Sequence, residues 1–151
     1  MYYETLAQGY EELHRDEQLE KLAIIRDNLV LRGNERILDV GCGPCWSTDF
    51  FPNVVGVDPV KYNSQVIQAS AEKLPFADKS FDIILCVTAI HHFELSAALR
   101  EMRRVAKDGA RFVITVLKKS PRKDAIISDI LQQFRAETVF DSDNDVILFI
   151  R

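Results

Sequence analysis

The chain has 151 residues, with 19 Lys plus Arg against 23 Asp plus Glu and a formal net charge of −4. Its 47% hydrophobic and 28% charged residues suit one globular domain, which excludes collagen-like, coiled-coil, disordered and disulfide-scaffold chains. Three cysteines cannot form an even disulfide framework, so reduced thiols in the cytoplasm are expected.

Glu17 to Leu31 carries Leu19, Leu22, Ala23, Ile25 and Leu29 on one helical stripe, stopped by Gly33 and Asn34. Arg36 to Val40 reads as a buried strand that runs into Gly41. Trp46 to Phe51 reads as a short helix stopped by Pro52, and Val54 to Asp58 as a second buried strand. A weaker third strand follows over Val66 to Ser70, and a strong fourth over Phe81 to Val87. Only seven residues separate Asp58 from Val66. A parallel crossover usually takes at least about 10–12. Either the helix there is about one turn, or the third strand is misassigned.

Glu94 to Ala106 reads as a helix with Leu95, Ala98, Leu99, Met102 and Val105 inward, closed by Lys107-Asp-Gly109. Ala110 to Leu117 is a fifth strand. Pro121 to Phe134 is a helix with Pro in its first turn. Thr138 to Asp141 and Val146 to Ile150 form a hairpin around Ser142-Asp-Asn144. The alternation predicts a doubly wound α/β fold: a mostly parallel sheet of about seven strands with an antiparallel C-terminal hairpin. No apolar run spans a bilayer, and MYYETLAQGYEEL has neither the basic nor the apolar region of a signal peptide.

The most informative stretch is Ile37-Leu-Asp-Val-Gly-Cys-Gly-Pro-Cys45, a strand ending in a glycine turn. In open parallel sheets, ligands sit at the carboxyl ends of strands, and an acidic residue ending the next strand accepts ribose hydroxyls. Asp58 stands at that place. The dinucleotide pattern G-x-G-x-x-G fails here, and Asp39 would repel a pyrophosphate. A cationic adenosyl ligand with an ammonium and a sulfonium fits better.

The chain resembles the class I S-adenosylmethionine-dependent methyltransferases, and within them the ubiquinone/menaquinone-type branch. The residues that carry the resemblance are ILDVGCG (37–43), VVGVDP (54–59), SAEKLPFADKSFDII (70–84), CVTAIHHF (86–93) and LREMRRVAKDGARFVIT (99–115), with YETLAQGYEEL (3–13) as the lead-in. It implies a Rossmann-like core over residues 33–151 and a helical lid over 1–32. It also implies that S-adenosylmethionine is bound by Tyr3, Tyr10, Asp39, Gly41, Cys42, Gly43, Asp58, Pro59, Ala71, Glu72, Cys86, Val87 and Thr88. Gly41 and Gly43 would lie against the methionyl part with Asp39 nearby, and Asp58 would hold the ribose. Pro59, Ala71 and Glu72 would flank the adenine, and the Cys86–Thr88 backbone the methionyl end. Tyr3 and Tyr10 would close over the cofactor. This chain has Cys45 where many relatives have a third glycine, and Ser70 where the usual adenine contact is acidic.

Cys42-Gly-Pro-Cys45 is also letter-for-letter the redox motif of thioredoxins, and such a pair could oxidise and block the cofactor turn. Cys42, Cys45, Cys86, His91 and His92 could gather at one sheet edge, yet the spacing is not that of a zinc site, and no metal is expected. His91 is the candidate general base. Lys118, Lys119, Arg122 and Lys123 form a basic rim for an anionic acceptor, while Arg100, Arg103, Arg104 and Lys107 read as a solvated helix face. The expectation is a methyltransferase acting on an unidentified acceptor, a small molecule before a macromolecule, as a monomer or homodimer. The acidic charge argues against bulk nucleic-acid binding and leaves room for a local contact. The alternatives are a non-catalytic methyltransferase-like partner of a second protein chain, and a thiol–disulfide or thiol–metal protein.

Overall fold

A computed structural model describes residues 2–151, with side chains from Glu12 onward. The chain divides into two compact units, Met1–Val30 and Leu31–Arg151. The first unit is one helix, α1 (Tyr2–Asn28), which starts well before the Glu17 expected from the apolar stripe. Among its described side chains, Lys21, Leu22 and Ile25 are buried. The lid expected over residues 1–32 rests on Tyr3 and Tyr10, whose side chains lie outside the described residues. Among the described residues, no helix is long and apolar enough to cross a membrane.

The second unit holds β1 (Ile37–Val40), β2 (Val54–Asp58), β3 (Val66–Gln68), β4 (Phe81–Cys86), α2 (Leu95–Val105), β5 (Ala106–Leu117), α3 (Lys123–Gln133), β6 (Ala136–Asp141) and β7 (Asp145–Ile150). The sheet order is β3-β2-β1-β4-β5-β7-β6. The first five of these strands are parallel, and β7 and β6 run antiparallel at the far edge. This is the doubly wound sheet with a C-terminal hairpin that the apolar runs predict. β1 and the C-terminal part of β4 are buried throughout, as expected for parallel strands covered on both faces.

Leu38 and Val40 share a core with Ile84, Cys86, Ile114, Leu99, Met102, Val105, Ile126 and Ile130, so α2 and α3 cover that face. Side chains alternate along a strand, so Ile37 and Asp39 point to the opposite face. The α2 helix turns its apolar stripe inward, with Leu95, Ala98, Leu99, Met102 and Val105 all buried. Glu94 caps its start, accepting from the Ala97 amide at 2.7 Å.

Several connections differ from expectation. Residues 41–53 carry only a four-residue 3₁₀ turn, Trp46–Asp49, in place of the expected helix to Phe51. Residues 59–65 carry no helix, yet β3 is a true parallel neighbour of β2. The register explains why this is possible. Val66 lies opposite Gly56, so the chain returns by only two residues of strand, roughly 7 Å. A full crossover helix is unnecessary over so short a return.

Gly109 does not close α2. That helix ends at Val105, and its last carbonyls accept from the turn before β4: Lys79 N–H to Arg104 O at 2.9 Å and Ser80 N–H to Val105 O at 2.7 Å. Gly109, at φ +76°, instead sits in a bulge of β5, where the register jumps between Phe81↔Ala106 and Ile83↔Arg111. Pro121 lies just ahead of α3 rather than in its first turn.

Of the four basic residues expected to form a solvated face, Arg100, Arg103 and Lys107 are exposed, and Arg104 is instead held in a set of hydrogen bonds. Arg104 donates to Glu101, to Asp78 Oδ1 at 2.7 Å, and to the carbonyls of Phe76 at 2.9 Å and Leu74 at 3.0 Å. Glu101 also accepts from the Leu74 amide at 2.9 Å. Lys107 pairs with Asp82 at 3.1 Å, and Arg103 lies over the Phe134 ring. The planar five-donor guanidinium is what lets Arg104 reach four acceptors. Arg104→Ala should therefore lower unfolding free energy by about 2 kcal/mol, the scale of hydrogen bonds to a charged group. Arg104→Lys should restore less than half of it. Chemical denaturation of the three proteins checks both.

Candidate cofactor site

The site is built at the carboxyl ends of β1, β2 and β4. β1 runs directly into a turn in which Gly41, Gly43 and Cys45 all take positive φ, at 72°, 56° and 62°. The amides of Gly41 and Cys42 both donate to Val57 O at 2.9 Å, which fastens the turn to β2. The Gly43 amide donates to Asp58 Oδ2 at 2.9 Å. Asp58 Oδ1 accepts from the Val60 amide, also at 2.9 Å. The carboxylate is thus aimed by two backbone donors from two loops. About four lone-pair sites exist on a carboxylate, so acceptor capacity remains for hydroxyl donors.

The two glycines serve different needs. A Cβ on Gly43 would meet nothing within 4 Å, so this backbone faces open space beside Asp58. A Cβ on Gly41 would lie 2.5 Å from the Ala89 Cβ and 2.9 Å from the Phe93 ring. Gly41 therefore admits the segment after β4 to close packing against the turn. That segment contains Thr88 at φ +58°, a rare conformation for a β-branched residue. Its amide donates to Thr115 Oγ1 at 2.7 Å, across to β5. Strained backbone of this kind collects at functional sites.

Asp39 is buried at the end of β1 and accepts from the Ser47 hydroxyl at 2.5 Å. Burial, offset in part by Ser47 and reinforced by the charge of Asp58, raises its carboxyl to about 6. Burial, reinforced by the Asp39 charge, also pushes the Cys86 thiol far above its usual range. Cys86 is thus an inert core residue of β4.

Two sulfurs sit in the turn. Cys42 and Cys45 are joined as a disulfide, which corrects the expectation of reduced thiols throughout. Among the described residues, no group of three His, Cys, Asp or Glu could hold a metal ion.

The other predicted residues are less directly placed. Pro59 follows Asp58, and its carbonyl accepts from Gln68 Nε2 at 3.0 Å. Ala71 is buried, and Val87 is buried just after β4. Glu72 accepts from the Ser70 hydroxyl and from the Glu94 amide at 2.8 Å, so it braces the start of α2. The Ser70 and Glu94 hydrogen bonds hold its carboxyl below the usual range. His91 Nε2 accepts from the Leu117 amide at 3.0 Å, which pins the Ile90–His92 turn to the end of β5. On the rim, Lys118 pairs with Asp141 and Lys123 with Asp124, while Lys119 and Arg122 are exposed. A groove of about 620 Å³ runs between the start of α2 and α3, lined by Phe93, Glu94, Arg122, Asp129 and Gln132. Phe93 is the residue that packs on Gly41.

Sequence reasoning missed Ser47, Asn63, Ala89 and Thr115. Asn63 donates from Nδ2 to Pro44 O at 2.9 Å and ties the β2–β3 loop to the turn. Thr115 was the detectable one: a lone hydroxyl inside the apolar run Phe112–Leu117, fully buried.

A sheet in this order, with a glycine turn after β1 and an acidic residue ending β2, defines the class I, Rossmann-like methyltransferase architecture. The chain belongs to the methyltransferase-domain family, whose model matches residues 38–114, just over half of the chain. It is similar to an uncharacterized protein of Methanocaldococcus jannaschii, at 34% identity over 128 residues, 76% of this chain and 50% of that one. It is 35% identical over 127 residues to the uncharacterized methyltransferase YcgJ of Bacillus subtilis, covering 68% of this chain and 50% of YcgJ. The crystal structure of YcgJ superposes with a TM-score of 0.61 at 29% identity, over 75% of this chain and 58% of that one. The ubiquinone/menaquinone biosynthesis C-methyltransferase UbiE of Ectopseudomonas mendocina is 33% identical over 99 residues, 65% of this chain and 32% of UbiE. The chain spans about half the length of the first two relatives.

S-adenosylmethionine fits the residues present: open space at Gly43 lies beside a carboxylate with acceptor capacity for a ribose diol, and the buried Asp39 suits a cationic ligand. The raised Asp39 carboxyl means that its ionisation opposes folding. This cost is absent near pH 4, grows as pH rises toward 6, and is constant above that. Asp39→Asn should thus be more stable than wild type at pH 8, by up to about 3 kcal/mol, and equal to it near pH 4. Urea unfolding at both pH values measures the gap.

Proposed function

We propose that this chain binds S-adenosylmethionine across the ends of β1, β2 and β4 and transfers its methyl group to a small polar acceptor. The observation that carries the reading is the Asp58 carboxylate, aimed by the Gly43 and Val60 amides beside open space. When bound, the cofactor supplies a methyl group already activated on a sulfonium.

In this reading Asp58 accepts the ribose hydroxyls and Gly43 lets the nucleoside approach the turn. Pro59, Ala71 and Glu72 flank the adenine. The backbone at Gly41, Cys42 and Cys86–Thr88 borders the methionyl end, and ionised Asp39 balances its positive charge. His91, carried as the candidate base, holds Leu117 and keeps the segment after β4 in place. Rate then comes chiefly from alignment of acceptor and methyl group, a large source of acceleration on its own. The groove that begins at Phe93 receives the acceptor. Its lining of Glu94, Arg122, Asp129 and Gln132 suits a polar small molecule more than an apolar one. Lys119 and Arg122 are the rim cations that an anionic group would meet first.

Calorimetry with S-adenosylhomocysteine should give a micromolar dissociation constant. Asp58→Ala should weaken it at least tenfold with an unchanged circular dichroism spectrum. A folded wild type that binds neither S-adenosylhomocysteine nor S-adenosylmethionine overturns the reading. Affinity for S-adenosylmethionine should also fall as pH drops from 7 to 5, because Asp39 takes up a proton near pH 6 and its charge is lost. In Asp39→Asn that pH dependence should flatten.

A further inference from the structure

Cys42 and Cys45 are joined across the two residues that make the turn's side contacts. Between them lie Gly43, whose amide aims Asp58, and Pro44, whose carbonyl accepts from Asn63. The cysteine Cα atoms are 4.8 Å apart, within the span a disulfide closes. Both sulfurs rest on Gly56 of β2. A Cβ there would collide with the Cys45 Sγ and lie 2.7 Å from that of Cys42. Cys45 is held in the left-handed region at φ 62°.

The segment that follows meets the turn through Thr48, whose amide and hydroxyl donate to Cys45 O at 3.2 and 2.9 Å, and meets β1 through the Ser47–Asp39 bond. It is a four-residue 3₁₀ turn, a form with poor hydrogen-bond geometry, where a full helix would anchor the loop at its first turn. The bridge adds a covalent brace to these hydrogen bonds where that helix is absent.

We propose that Cys42 and Cys45 form a reversible thiol–disulfide couple that sets cofactor affinity, with the bridged turn binding tightly and the opened turn weakly. This rests on the cofactor reading above. Opening the bridge replaces a covalent bond by two separate thiols that must part from one another. The backbone of Gly56 lies directly beneath them, so one sulfur must swing away and Cys45 leaves its left-handed conformation. The turn then shifts, and Gly43 releases Asp58.

The chemistry is a two-electron exchange with a low-molecular-weight thiol. Its thiolate attacks the sulfur of Cys42, the less deeply buried residue of the two at 8% exposure against 1%. The Cys42–Cys45 bond breaks as a mixed disulfide forms, and Cys45 leaves as a thiolate that takes a proton. A second small thiol then attacks the mixed disulfide, releasing Cys42 as a thiol and a small-molecule disulfide. The protein pair is reduced and two small thiols are oxidised. Cys86, buried in β4, stays outside the exchange.

The test compares three forms of the whole chain: oxidised, reduced with dithiothreitol without air, and the Cys42→Ser/Cys45→Ser variant. Titration with S-adenosylhomocysteine should give at least tenfold tighter binding for the oxidised form, with the reduced form and the variant alike. Equal affinities, or tighter binding when reduced, overturn the proposal. So does a thiol count that stays at three after treatment with oxidised glutathione. Amide exchange gives a second readout in the same samples. Gly43 and Thr48, whose amides donate to Asp58 and to Cys45 O, should exchange at least tenfold faster once the pair is reduced, and unchanged exchange overturns the brace. If no form binds S-adenosylhomocysteine, the cofactor reading falls, and the exchange data still decide whether the bridge governs the turn.

Discussion

The Asp58 carboxylate is the junction on which the ligand end of the sheet depends. One oxygen takes the Gly43 amide from the turn after β1, and the other takes the Val60 amide from the loop after β2. Two loops without regular structure are thereby fixed to one strand end. Charge-assisted hydrogen bonds are roughly twice as strong as neutral ones, so a single carboxylate can hold both. Asn63 adds a direct link between the same two loops through Pro44. The arrangement orients the carboxylate before any ligand arrives, the condition under which binding loses least to ordering.

A second organising pressure is electrostatic. Asp39 is buried at the end of β1, close enough to Asp58 to feel its charge. Two carboxylates converge where, among the described residues, no basic side chain donates to or pairs with either of them. An environment of this sign resists anions and welcomes a cation. This agrees with the failure of the dinucleotide glycine pattern and with the family to which the chain belongs.

The strands were legible because buried parallel strands are continuous apolar runs, as in Ile37–Val40 and Phe81–Cys86, and the last hairpin because Ser142-Asp-Asn144 is strong turn chemistry. Gly41, Gly43 and Asp58 were legible because their spacing repeats a known constellation. What escaped depends on three-dimensional closeness. The 3₁₀ turn at Trp46–Asp49 reads as a helix in the sequence because six residues before Pro52 are too few to show a period. Gly109 was read as a helix stop because glycine serves bulges as well as caps. Arg104 looked like solvated charge because its carbonyl acceptors come from a loop more than 25 positions away. The Cys42–Cys45 bond is half legible: the C-G-P-C letters mark a pair that can oxidise, while the odd count of three cysteines points to reduced thiols.

The missing connections around β2 carry one more consequence. Among the described residues, no α-helix joins β1 to β2 or β2 to β3, and β3 is a three-residue edge strand. Local opening free energies are lowest where few apolar contacts back a short ladder. The β2–β3 corner is therefore the natural place for the sheet to fray. A ligand seated at Asp58 would work there as a replacement structural element, closing an edge that the polypeptide leaves thin. Occupancy would then raise the cooperativity of the whole sheet and its melting temperature together, by ordinary mass action on the native state. At a strand end without crossover helices, a bound cofactor would also be part of the architecture.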